Sequence, residues 1–110
     1  MAQYKQVMLL RFPPTSDRED LATVFESYDD LPSQVYGVVQ VSAGPYTSPE
    51  GLNKGYTHAI VITFADESTR DAFLTHPLHE QLRQRLTPLL SGGLADLLVF
   101  DFKDCNRFLY

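Results

Sequence analysis

Residues 4–12, YKQVMLLRF, are rich in β-forming side chains and apolar on both alternating faces, with Gln6, Met8 and Leu10 on one parity and Val7 and Leu9 on the other. A strand of this kind has to be covered on both sides. Pro13 and Pro14 end it, since neither can donate to a ladder. With 110 residues and 44% hydrophobic content, the chain has material for one core and one domain, residues 1–110. A second copy is then the economical cover for the remaining sheet face.

After the prolines, Thr15, Ser16 or Asp17 can cap a helix, with Glu19 and Asp20 suited to its first turn. Leu21, Val24, Phe25, Tyr28 and Leu31 recur at helical spacing, and Leu31-Pro32 is expected to stop the helix. Residues 35–43 read as a second strand closed by Gly44-Pro45, and residues 46–55 as a surface loop of turn formers. A third strand over 56–64 puts Tyr56, His58, Ile60, Ile62 and Phe64 on one face. Asp66, Glu67 and Ser68 open a second helix, interrupted at His76-Pro77, where proline suits the first position of a new segment. Leu78, Leu82, Leu86, Leu89 and Leu90 carry that segment to Ser91-Gly92-Gly93, and residues 94–102 read as a fourth strand. The fold class implied is α+β, a ferredoxin-like βαββαβ arrangement in which a four-stranded antiparallel sheet carries both helices on one face. Strands one, two and four stay apolar on the other face, so two sheets packing face to face in a homodimer would close a barrel.

A net charge of −5 with scattered basic residues argues against nucleic acid as a partner. No stretch is long and apolar enough to span a membrane, and no leader pattern opens the chain. A lone cysteine, Cys105, cannot form an internal disulfide, and a cytoplasmic location is expected. Gly92-Gly93 precedes a strand and not a helix, so it is no phosphate cradle, and no cofactor is expected. His76 and His79 are three apart, but no Asp, Glu or Cys completes a metal site at recognisable spacing. His76 is read as stabilising the break before Pro77.

His58 is the residue most in need of explanation, an imidazole on an apolar strand face that needs a partner if buried. Met8, Leu10, Phe25, Tyr28, Ile60, Phe73 and Leu82 carry either a plain core or the walls of an apolar cavity between helices and sheet. Tyr28, near a helix end, is the one suited to aim a hydroxyl into such a cavity.

Residues 4–12, the run SPEGLNKGYTH over 48–58, Thr63-Phe64, His76-Pro77-Leu78-His79 and LLVFDF over 97–102 together resemble the stress-responsive dimeric α/β-barrel (Dabb) domain family, over about residues 3–103. The resemblance implies a ferredoxin-like protomer and a dimer built through the sheets. The family includes stress-associated oligomers, proteins without a known role and a plant polyketide cyclase, so its function is not implied with its fold. Carried over from the cyclase, whose pocket lies between sheet and helices, His58 matches the third-strand histidine and His79 the helix histidine. Phe73 stands at the catalytic tyrosine and Gln6 at the first-strand histidine. Phe73 has no hydroxyl, so the same mechanism is disfavoured. The resemblance leaves His79 and His58 as an acid and base for another carbonyl compound, with His79 as the base and His58 or Gln6 orienting the oxygen. The readings carried forward are a protein binding a hydrophobic or polyketide-like small molecule, a cofactor-independent cyclase, isomerase or lyase, and a structural oligomer without a ligand.

Overall fold

The computed structural model describes residues 2–105. The apolar tail end, Phe108 to Tyr110, lies outside the described residues. The elements are β1 (Tyr4–Leu10), α1 (Arg18–Asp29), α2 (Leu31–Gln34), β2 (Val38–Pro45), β3 (His58–Phe64), α3 (Glu67–Leu74), α4 (Pro77–Leu86) and β4 (Leu97–Lys103). The sheet order is β2-β3-β1-β4, every neighbouring pair antiparallel, which is the ferredoxin-like topology. Gln6, Met8 and Leu10 face the helices with Ile60, Ile62 and Phe64, all closed off from solvent. On the opposite face Leu98, Phe100 and Phe102 stand opposite Leu9, Val7 and Lys5, and Phe100 is 61% exposed.

Helix starts follow the capping chemistry. The Asp17 carboxylate accepts from the Glu19 and Asp20 amides at 2.7 and 3.3 Å. Asp66 accepts from the Thr69 amide at 2.9 Å while the Thr69 hydroxyl accepts from the Asp66 amide, a reciprocal capping box. These bonds, the Thr69 amide first and Ser68 after it, hold the Asp66 carboxyl below its ordinary pKa. His76 caps α4, its Nδ1 accepting from the Leu78 amide at 3.0 Å, with Pro77 in the first turn.

Several boundaries differ from the expectations: the first strand ends at Leu10 and not Phe12, and the third begins at His58 and not Tyr56. The first helix ends at Asp29, as expected before Leu31-Pro32, but a short second helix follows at once, with Pro32 in its first turn, where its missing N–H costs nothing. The second strand starts at Val38 and not Val35, since Gly37 turns the chain with φ of +89°. Gly44 and Pro45 belong to β2, which lies at the sheet edge, where a missing donor is tolerated. Residues Gly93–Asp96 form a 3₁₀ turn, and β4 starts only at Leu97, opposite Leu10 at the end of β1.

Within β2 the register jumps between Val38, opposite Phe64, and Gln40, opposite Thr63. This bulge moves Val41, Ala43 and Pro45 onto the helix face, opposite Ile62, Ile60 and His58, and leaves Val39 exposed.

Candidate functional site

His58 is the first residue of β3 and faces Pro45 across β2 and Leu10 across β1. Its ring is packed by Phe12 and Phe25, with centroids 5.2 and 5.5 Å away. Nδ1 lies 2.9 Å from the Thr57 hydroxyl, which also accepts from the Phe12 amide at 3.1 Å and approaches the Leu10 carbonyl at 3.2 Å. The hydroxyl has one proton. Spent on Leu10, it obliges His58 to donate from Nδ1; spent on His58, it obliges Nδ1 to accept. Either way Nδ1 is occupied and Nε2 is the nitrogen left for a ligand. Burial lowers the His58 pKa, so the imidazole is neutral near pH 7.

A cleft of about 440 Å³ opens beside this ring between α1 and β2. Its walls are the stem of Arg18, Leu21, Ala22 and Phe25 on one side, and Ala43, Gly44 and Pro45 on the other. The lining is mainly apolar, with His58 offering a titratable ring. A second hollow of about 300 Å³ lies where the 46–56 loop meets Leu9, His58 and Ala59. Arg11 holds that loop: its guanidinium donates to Asp96 at 2.7 Å and to the Lys54 carbonyl at 2.6 Å, and lies 4.8 Å from the Tyr56 ring centroid. The sequence reading did not single out Arg11 or Asp96, because a loop clamp between positions 85 residues apart has no local signature.

The expected cavity in the middle of the protomer is filled. Met8, Leu10, Ile60, Phe73 and Leu82 interlock with Phe64 and Leu86 as core, and Tyr28 is buried with them. Of the residues assigned to a lining, Phe25 and His58 face the larger cleft. The helix-face residues pack inward too well to leave that cavity, and the space appears instead where β2 presents small side chains to α1.

His79 sits apart from His58. Its ring lies edge-on to Phe73 at 5.2 Å, and its Nε2 is 3.4 Å from Arg83 Nη2. The two imidazoles share no ring partner. Burial first, and then the Arg83 charge, lower the His79 pKa, against the opposing pull of Glu80 and Asp101. Gln6 is 2% exposed and its Oε1 has no hydrogen-bond partner among the described residues. Among these residues no group of three or more His, Cys, Asp or Glu is placed to hold a metal, and no helix is long and apolar enough to cross a membrane.

The family model described as "Stress responsive A/B Barrel Domain" matches residues 4–104. No curated protein matches the chain. Among solved structures, a hydroxynitrile lyase from Passiflora edulis superposes with a TM-score of 0.84 at 16% identity, over 97% of both chains. An Arabidopsis thaliana protein superposes at 0.83 with 24% identity, over 96% of this chain and 99% of that one. A dimeric ferredoxin-like protein of unknown function from Jannaschia sp. CCS1 superposes at 0.80 with 21% identity, over 91% and 97%. At these identities the likeness concerns the fold.

Proposed function

The chain belongs to the stress-responsive A/B barrel domain (Dabb) family, and from that premise we propose that it is a homodimer that binds a small, mainly apolar molecule in the cleft between α1 and β2. The observation that carries this reading is His58, a desolvated neutral imidazole fixed at Nδ1 by Thr57 and lining an apolar cleft of about 440 Å³. That volume is in the range of small-molecule sites, and a few polar groups, here His58 and Arg18, among apolar walls are their usual composition. Because either tautomer of His58 can be matched by Thr57, Nε2 can meet a ligand carbonyl or a ligand hydroxyl. A hydrophobic ketone or a polyketide-like compound has that chemistry. Self-association is supported by the exposed apolar row Leu98, Phe100 and Phe102, and by the description of the Jannaschia protein as dimeric.

Titrating cyclohexanone, a neutral apolar carbonyl probe, while following the imidazole NMR signals of His58 tests the reading. The expected result is a saturable shift that is lost in Ala43→Trp, where the indole occupies the cleft. No shift, or a shift that survives Ala43→Trp, overturns it.

A second reading, a cofactor-independent cyclase, isomerase or lyase with His79 as general base, is favoured by the placement of His79, packed edge-on to Phe73 and with Nε2 beside Arg83, where burial lowers its pKa. The Passiflora edulis protein, described as a hydroxynitrile lyase, is a lyase with this fold. Phe73 beside His79 supplies no hydroxyl, so a proton partner has to come from elsewhere, such as the ligand itself or Tyr28.

A further inference from the structure

The hollow of about 300 Å³ under the 46–56 loop opens on the sheet face turned away from the helices. Its floor is Leu9 of β1, Ala59 of β3 and Gly44 of β2, one row of ladder partners. It shares Gly44, Pro45 and His58 with the α1–β2 cleft as a common wall. Tyr46 and Leu52 form the rim, and Leu52 is 65% exposed. The rim is braced from within the protomer: the Gly51 amide donates to the Tyr46 hydroxyl at 2.8 Å, the Asn53 side-chain amide to the Tyr56 carbonyl at 2.7 Å, and Arg11 holds the Lys54 carbonyl. The hollow is therefore formed before anything enters it.

Gly44 is the residue of this floor that the protomer leaves unexplained. Its φ is not positive, and among the described residues no atom lies within 4 Å of the Cβ it lacks. Neither its backbone nor its packing requires a glycine, which weakens a strand interior and marks places where another group approaches closely. The space it keeps open faces outward.

The same face carries the matching shape. Side chains grow from β2 toward β4, as Gly44, Ala59, Leu9 and Leu98 in one row and Ser42, Val61, Val7 and Phe100 in the next. The face is low at β2 and β3 and high at β4, where Phe100 stands 61% exposed. Sheets packed face to face lie about 10 Å apart with their side chains interdigitated. A second copy, turned about a two-fold axis along the strands, lays its high edge over the low one, and the same contact forms twice. Any other partner has to bring a knob of its own, whereas this chain carries both knob and hole.

We propose that Phe100 of a second copy seats in the hollow under the 46–56 loop, over Gly44 and Ala59, and that this contact locks the loop segment that holds His58. The lock runs through Tyr46 on the rim, whose amide donates to the Thr57 carbonyl at 2.9 Å, and through the Thr57 hydroxyl to His58 Nδ1. The inference rests on the homodimer proposed above and goes beyond it, since it assigns the contact and makes the order at His58 depend on assembly.

Sedimentation of the full chain across a dilution series gives the dimer dissociation constant. Phe100→Ala removes the knob and Gly44→Leu fills the hole, and each should weaken the dimer about tenfold or more. Together they should recover most of that loss, because the leucine side chain takes the space Phe100 has vacated. Should Gly44→Leu not fold, Ala59→Leu fills the same hole from the next strand. Amide exchange at Thr57 should be about tenfold slower in the dimer than in monomeric Phe100→Asp, and the His58 imidazole nitrogen signals should differ between the two. Additive losses in the double variant, or a dimer indifferent to either single substitution, overturn the socket while leaving the homodimer in place. Equal Thr57 exchange and equal His58 signals in dimer and monomer overturn the link to His58. A wild type that stays monomeric throughout overturns the homodimer and the socket together.

Discussion

The Thr57 hydroxyl and the His58 imidazole, neighbours in sequence, touch at 2.9 Å. Successive side chains of a regular strand point to opposite faces, so this contact requires Thr57 to stand outside the ladder, and β3 indeed begins at His58. Thr57 instead ties the loop before β3 to the end of β1, its amide donating to the Leu10 carbonyl at 2.8 Å. The residue that occupies His58 Nδ1 is thus also a hinge pin between loop and sheet.

Thr57→Val keeps the side-chain shape and removes the hydroxyl. The Phe12 amide, on a residue only 4% exposed, and His58 Nδ1 both lose their partner. The expected loss is about 1–3 kcal/mol in denaturant unfolding. His58 should also show a changed tautomer ratio by nitrogen NMR; an unchanged ratio would remove Thr57 from control of the ring.

Stability should fall on mild acidification. Burial lowers the pKa of both His58 and His79 below the ordinary value near 6.5. As pH falls below about 6.5 the unfolded chain takes up protons before the folded one does. The contribution of the neutral imidazoles is therefore full above that pH and is lost as pH drops toward the folded pKa values. Thermal midpoints from pH 8 down to about 5 measure this, and His58→Gln and His79→Gln should each flatten the slope.

Phe100→Asp places a charge at the centre of the exposed apolar row without touching the protomer core. The variant should be monomeric by light scattering at concentrations where the wild type is dimeric, with an unchanged far-UV spectrum. Continued dimerisation would move the interface away from this sheet face.

Gly37→Ala should be among the most damaging small substitutions. Gly37 has φ of +89°, and a Cβ there would fall within the Thr69 side chain, whose hydroxyl completes the capping box of α3. Backbone strain of about 1–3 kcal/mol and loss of a cap worth about 1 kcal/mol act together. Denaturant unfolding should show a loss well beyond that of Thr69→Ala alone.

The chain's element order and core stripe were legible because they rest on local chemistry: Asp17, Asp66 and His76-Pro77 start helices by bonds to residues two or three positions away. The two-sided apolar character of β1 likewise indicated a sheet with one face left over. His58 was visible as an imidazole out of place. The space beside it was not, since the cleft depends on how far α1 stands from the small residues of β2, and no periodicity encodes that distance. Gly44 escaped notice for a related reason, as a glycine before a proline reads as the close of a strand until the space over it is found open.

The bulge between Val38 and Gln40 gives the cleft an arithmetic origin. Were the same residues paired in unbroken register from Val38, Gln40, Ser42 and Gly44 would occupy the helix-facing positions that Val41, Ala43 and Pro45 now hold, and the wall opposite Phe25 would be more polar. The pocket is thus specified by the parity of a count as much as by the chemistry of its lining. A relative whose second strand kept this length but paired without the bulge would present a different solvent to the same histidine.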